Sequence, residues 1–81
     1  MSTHTFKLKV SKVDRLLFAG EAISINLPGT EGEFTVLSNH EPLISMLKQG
    51  TIRIETQEKH REFDVKSGIC EVHNNSVTIL I

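Results

Sequence analysis

Ile23-Ser24-Ile25-Asn26-Leu27-Pro28-Gly29-Thr30-Glu31-Gly32-Glu33-Phe34 is the stretch on which the fold is decided. Its first half alternates, with Ile23, Ile25 and Leu27 on one side and Ala22, Ser24 and Asn26 on the other. A period of two belongs to a strand with one buried face. Its second half is punctuation. Pro28-Gly29 suits the central pair of a type II turn, with Pro fixing φ and Gly taking a positive φ. The stretch therefore reads as a strand that turns back on itself.

The same alternation runs outward in both directions. Phe6, Leu8 and Val10 oppose Lys7, Lys9 and Ser11; Ile52 and Ile54 oppose Thr51, Arg53 and Glu55. Phe63 and Val65 oppose Glu62, Asp64 and Lys66. Val77, Ile79 and Ile81 oppose Ser76, Thr78 and Leu80, and the apolar Leu80 implies a last strand covered on both faces. Asn74-Asn75 can take the left-handed conformations of a two-residue hairpin, and the polar run from Gln57 to His60 reads as a hairpin loop. Gly50 is expected to close the segment before it, and Gly68 to mark a bend or bulge where a side chain would clash. Glu41 to Lys48 fits two turns of helix with Pro42 near its start, but its surroundings favour a strand after a corner. No segment is long enough for a crossover helix, so the fold class is all-β: an antiparallel β-sandwich or flattened barrel.

Composition narrows the function. With 81 residues the chain is one domain, residues 1–81, of a size at which a single core is marginal. A net charge of −1 and the lack of any Lys or Arg run give no field for a phosphate backbone, which argues against nucleic acid as a partner. The single cysteine, Cys70, cannot form an internal disulfide and fits a reducing compartment as a small buried residue. No stretch approaches the roughly 18 apolar residues that span a bilayer, so direct membrane insertion is not expected. The first residues carry no basic-then-apolar leader.

Catalytic motifs are missing from the sequence. Histidines 4, 40, 60 and 73 have no metal-site spacing among them, and Cys70 and His73 would face opposite ways along a strand. There is no phosphate-cradling loop ending in Lys and Ser or Thr, and no Gly-x-Ser-x-Gly elbow. Glu31 and Glu33 could suggest a carboxylate pair for glycoside chemistry. With no Trp or Tyr in the chain, however, no sugar or base platform accompanies them. No catalytic residue, cofactor or metal ligand is assigned. What remains is surface: two loops, around Gly29 to Glu33 and Ser38 to Pro42, which are either ordinary connections or partner contacts on a rigid scaffold.

At these loops the sequence resembles the epsilon subunit of F-type ATP synthases, in its amino-terminal sheet domain. Leu27 to Phe34 is similar to that family's Leu-Pro-Gly-x-Glu-Gly-Glu-Phe, and Leu37 to Leu43 to its Leu-Pro-Gly-His-Ala-Pro-Leu. Leu17 to Glu21, Leu47 to Ile54, Ser67 to Val72 and Val77 to Leu80 continue the likeness in order along nearly the whole chain. The resemblance implies a sandwich of two roughly five-stranded sheets and a non-catalytic rotor role in the central stalk. The implied partners are the gamma subunit and the loops of the membrane c-ring. It implies ring contact at Glu31, Gly32 and Glu33, with His40, Pro42 and Leu43 on the gamma side of the same end. It also implies a peripheral position on the cytoplasmic face of a bacterial inner membrane, or the equivalent organelle membrane. Weak self-association of the isolated domain is a further expectation.

Departures from the family pattern fall in the second loop and at the end. Ser38-Asn39 stands where Pro-Gly is common, though Asn tolerates the left-handed turn. Glu41 adds a charge, and Lys66-Ser67 stands where Ser-Gly is common. The sequence given ends at Ile81, where the usual subunit continues into a helical hairpin, so that hairpin's roles in restraining hydrolysis and binding ATP are not carried over. Two rivals stand beside the rotor reading: a free-standing sandwich that binds an unrelated protein, and a small enzyme.

Overall fold

The computed structural model describes residues 4–81. Among the described residues nine strands form: β1 (Phe6–Lys12), β2 (Arg15–Ala22), β3 (Ser24–Gly29), β4 (Gly32–Leu37), β5 (Leu43–Leu47), β6 (Gly50–Glu55), β7 (His60–Val65), β8 (Gly68–His73) and β9 (Ser76–Leu80). Among the described residues there is no helix. Hydrogen bonds link the strands in the order β2-β1-β9-β8-β5-β3-β6-β7, with β4 on β3 as well. The path curls into a half-barrel. The segment around Pro42 is the strand β5, not a helix.

Burial follows the expected faces. Phe6, Leu8, Val10, Ile25, Leu27, Ile52, Ile54, Val65, Val77 and Ile79 are buried in one core with Cys70 and Val72. At about 25 cal/mol per Å² of apolar surface removed from water, these side chains dominate the stability of so small a chain.

Two joints hold the curl. β3 meets β5 at one residue pair, Gly29 with Leu47. Flanking it, the Thr30 N–H donates to the Met46 carbonyl at 3.0 Å and the Lys48 N–H to the Pro28 carbonyl at 2.9 Å. At the far ends of the path, β2 and β7 approach through side chains. The Arg61 guanidinium of β7 lies 5.9 Å from the Phe18 ring centroid of β2 and 5.1 Å from that of Phe63. The Ile23 N–H, just after β2, donates to the Glu55 carbonyl at 2.7 Å.

Several expectations are corrected. The turn after β3 is made by Thr30 and Glu31, not by Pro28-Gly29, and the positive φ of 128° belongs to Gly32. Pro28 and Gly29 continue the strand. Gly29 is there for close packing: a Cβ would stand 2.8 Å from the Gly32 carbonyl oxygen and 2.9 Å from the Phe34 ring. Gly50 opens β6 rather than closing the segment before it. The pairing is antiparallel except between β1 and β9, which are parallel, because the last strand returns beside the first in the same direction. The outer side of β9 is open, with Leu80 43% exposed. Strand β2 had no clean alternation to announce it. Its register slips from Val10–Phe18 to Ser11–Leu16, so Leu17 is bulged, and both Leu17 and Phe18 pack against the core.

Candidate functional site

The register separates the two candidate loops. The Thr30–Glu31 turn closes the β3–β4 hairpin at the end where Gly29 pairs with Leu47, Leu47 with Gly68, and Ile69 with Leu80. Strand β4 then runs its whole length away from that turn, and Leu37 pairs with Ser24 at the opposite end. The Ser38 to Pro42 connection lies there, where the Asn39 N–H donates to the Asn75 Oδ1 at 2.7 Å. At about 3.3 Å per residue, the strand puts nearly 20 Å between the loops. The expectation that His40, Pro42 and Leu43 share an end with Glu31 is therefore wrong. Sequence proximity misled because the connecting strand is fully extended.

At the first end, Glu31 and Gly32 are exposed. Glu33 points out of β4 with a carboxylate oxygen 3.9 Å from Arg53 Nη1, an exposed pairing worth little by itself. At the other end Asn39 takes the left-handed conformation, φ 61°, which meets the demand of the Pro-Gly common in the resembled family. His40 is half-buried, with its Nδ1 2.8 Å from the Glu41 carbonyl, which makes that nitrogen a donor. Pro42 is exposed, while Leu43 turns inward and packs against the core.

Sequence reading missed a third surface. Met46 pairs with Ile69 and Ile69 with Leu80, all on the outer side of β5, β8 and β9. Leu80 pairs with Ser11, and Ser11 with Leu16, which carries the row onto β2. Met46 is 58% exposed and Leu16 54%, with Ile44 two residues along at 67%. The row reaches the Glu31 turn, since Met46 bonds Thr30. The signal was present in Leu43-Ile44-Ser45-Met46-Leu47 and Ile69: apolar residues at both phases of a strand. That pattern was assigned to burial on both faces only at Leu80.

Cys70 is fully buried, and burial pushes its thiol up to about 11, far from a reactive thiolate. Cys70 faces the core while His73 is exposed. Among the described residues no three His, Cys, Asp or Glu side chains gather as a metal site.

The family model described as ATP synthase, Delta/Epsilon chain, beta-sandwich domain matches residues 5–81. A curated ATP synthase epsilon chain from Leptospira interrogans (serovar copenhageni, strain Fiocruz L1-130) is 38% identical over 80 residues, which are 99% of this chain and 63% of the relative. One from Chlorobium limicola is 34% identical over 80 residues, 98% of this chain and 91% of the relative. The chain thus spans less than two thirds of the first relative and nearly all of the second. Among solved structures, a chain of the Euglena gracilis mitochondrial ATP synthase, OSCP/F1/c-ring in rotational state 1, superposes with TM-score 0.87 at 24% identity, covering 94% of this chain and 49% of that one. A chain of the Tetrahymena thermophila mitochondrial ATP synthase central stalk/c-ring gives TM-score 0.80 at 12% identity, covering 99% and 65%. At those identities the structures establish a shared fold.

Proposed function

This chain belongs to the ATP synthase delta/epsilon chain family through its β-sandwich domain, and on that premise we propose that it is a non-catalytic rotor subunit of the central stalk. In this reading it links the gamma subunit to the c-ring of a proton-translocating F-type synthase. It sits peripherally at the cytoplasmic face of a bacterial inner membrane, or at the equivalent organelle membrane. The curled sheet works as two facing layers, the five strands β2-β1-β9-β8-β5 and the four strands β4-β3-β6-β7, hinged at the Gly29–Leu47 corner.

One observation carries the proposal: the uncovered apolar row Met46–Ile69–Leu80 runs up to a turn bearing Glu31. Contiguous apolar surface with a polar rim marks a protein interface, and carboxylates at its margin orient a partner. The gamma subunit covers the outer face of β5, β8 and β9, from Pro42 beside His40 and Leu43 down to Leu80. Glu31, Gly32 and Glu33 face the c-ring loops. The gamma face runs the length of β5, β8 and β9 and meets the c-ring turn at its Glu31 end, so one stiff sheet carries both contacts. The same uncovered row makes weak self-association a property of the isolated chain.

The test is co-purification with the gamma subunit of the same source, followed by sedimentation. A one-to-one complex that is lost in the Met46→Glu/Leu80→Lys double variant, with the melting temperature unmoved, is the expected result. No complex between two folded proteins would sink the rotor reading and leave a free-standing binding module. Charge reversal at Glu31 and Glu33 separately weakens attachment to assembled c-ring and leaves gamma binding intact.

A further inference from the structure

His60 opens β7 directly across from Glu55 of β6. Its two ring nitrogens each meet a carboxylate: Nδ1 lies 2.6 Å from Glu55 Oε1, and Nε2 lies 2.9 Å from Glu62 Oε2. A neutral imidazole has one N–H and one lone pair, so it can donate to only one of these carboxylates. Both contacts are attractive together only when the ring is an imidazolium. The geometry therefore demands a proton that a solvated histidine gives up near neutrality.

The position has consequences beyond the pair. The loop above it is closed by the Thr56 N–H donating to the Lys59 carbonyl at 2.9 Å, and by the Lys59 N–H donating to Thr56 Oγ1 at 3.0 Å. Below it, the Glu55 carbonyl receives the Ile23 N–H, the backbone bond that holds the β2 end of the sheet path to β6. One residue thus supplies a side chain to His60 and a carbonyl to the seam.

We propose that His60 is a pH-responsive latch: protonated, it ties β6 to β7 through Glu55 and Glu62 and pins both the hairpin end and the seam; neutral, it releases one carboxylate and loosens both. The charged groups around it are Glu55 and Arg53 on β6, Glu62 on its own strand, and Glu58 and Lys59 in the adjoining loop. Arg53 stands 3.7 Å behind Glu62, and Glu33 of β4 lies beyond Arg53. The directions agree with the geometry. The bonds to Glu62 and then Glu55 raise the His60 value above its ordinary 6.5, and the bond from His60 lowers Glu62 below its ordinary 4.5. A raised histidine stabilises the fold fully below 6.5, and that contribution fades as pH rises through the raised value. A depressed Glu62 contributes above 4.5, and its share fades as pH falls through the lowered value. The latch is complete between the two.

The experiment is an NMR titration of the ring nitrogens of all histidines in the full chain, with amide-exchange protection factors of Thr56 and Ile23 measured over the same pH range. Expected are a His60 midpoint above the ordinary 6.5, and a fall of that midpoint in Glu62→Gln. Also expected is a loss of Thr56 and Ile23 protection in step with His60 deprotonation, absent in His60→Gln, whose protection stays flat and low. A His60 midpoint at or below the ordinary 6.5, or one unmoved by Glu62→Gln, overturns the imidazolium bridge. Protection that does not follow the titration overturns the latch.

Discussion

Gly68 has no room for a side chain. A Cβ there would press on the carbonyl oxygen of Leu80 and stand 2.9 Å from Ile81 Cγ2. Backbone cannot yield as a flexible side chain can, so Gly68→Ala should destabilise by about 1–3 kcal/mol. For a domain of this size that lowers the melting temperature by roughly 4–8 °C per kcal/mol. Gly20→Ala is the control, because a Cβ there meets only the Phe18 ring at 3.5 Å, an ordinary contact. Its melting temperature should stay within the shift of about 0.5 kcal/mol typical of benign changes. Equal losses in the two variants would mean that strand conformation, not the close approach at Gly68, sets the effect. Cys70 makes a second residue-scale case. Its buried thiol, pushed up to about 11, should resist an alkylating reagent in native buffer at pH 8 and react quickly once urea unfolds the chain. Rapid labelling of the native chain would show that β8 opens readily.

At the scale of elements, the turns divide into those legible in the sequence and those that were not. The β8–β9 hairpin was legible: Asn74 and Asn75 have φ of 50° and 57°, the left-handed pair that a two-residue turn needs. Asn75 does more than turn. Its Nδ2 donates to the Thr5 carbonyl at 2.9 Å, and its Oδ1 accepts the Asn39 N–H at 2.7 Å, joining three connections at one end of the sheet. Asn75→Ala loses both bonds and strains the backbone, at a cost of about 1–3 kcal/mol by denaturant melt. Asn74→Gly keeps the turn and should be neutral; an equal loss there would mean the turn alone matters. The β3–β4 turn was misplaced by two residues because Pro-Gly carries two meanings. It is a turn pair when Gly needs a positive φ, and a strand end when Gly is needed beneath a ring, here that of Phe34. Strand β2 was invisible for a different reason. A bulge at Leu17 puts two neighbours inward, and periodicity is blind to a residue that belongs to neither face. The surface row on β5 and β8 escaped because alternation cannot tell an apolar residue covered by its own chain from one awaiting another chain.

At the scale of the whole molecule, stability rests on one core and closure on one seam. Small domains retain about 5–15 kcal/mol, so truncating the fully buried Ile54 to Ala, at about 2–5 kcal/mol, should remove a large share of the total. The seam is a separate matter. Strands β2 and β7 end the hydrogen-bonded path, and Arg61 stacked between Phe18 and Phe63 is what bridges them by side chain. An arginine over a ring contributes about 0.5–1 kcal/mol when exposed, and its stem covers apolar surface as well. Arg61→Ala and Phe18→Leu should therefore each destabilise, and the double variant by less than the sum. A double-mutant cycle in urea should return a coupling of about 0.5–1 kcal/mol. Additive losses would show that Arg61 serves β7 alone. Coupling would show that β2 and β7, which share no ladder of backbone bonds, are nonetheless drawn together by their side chains.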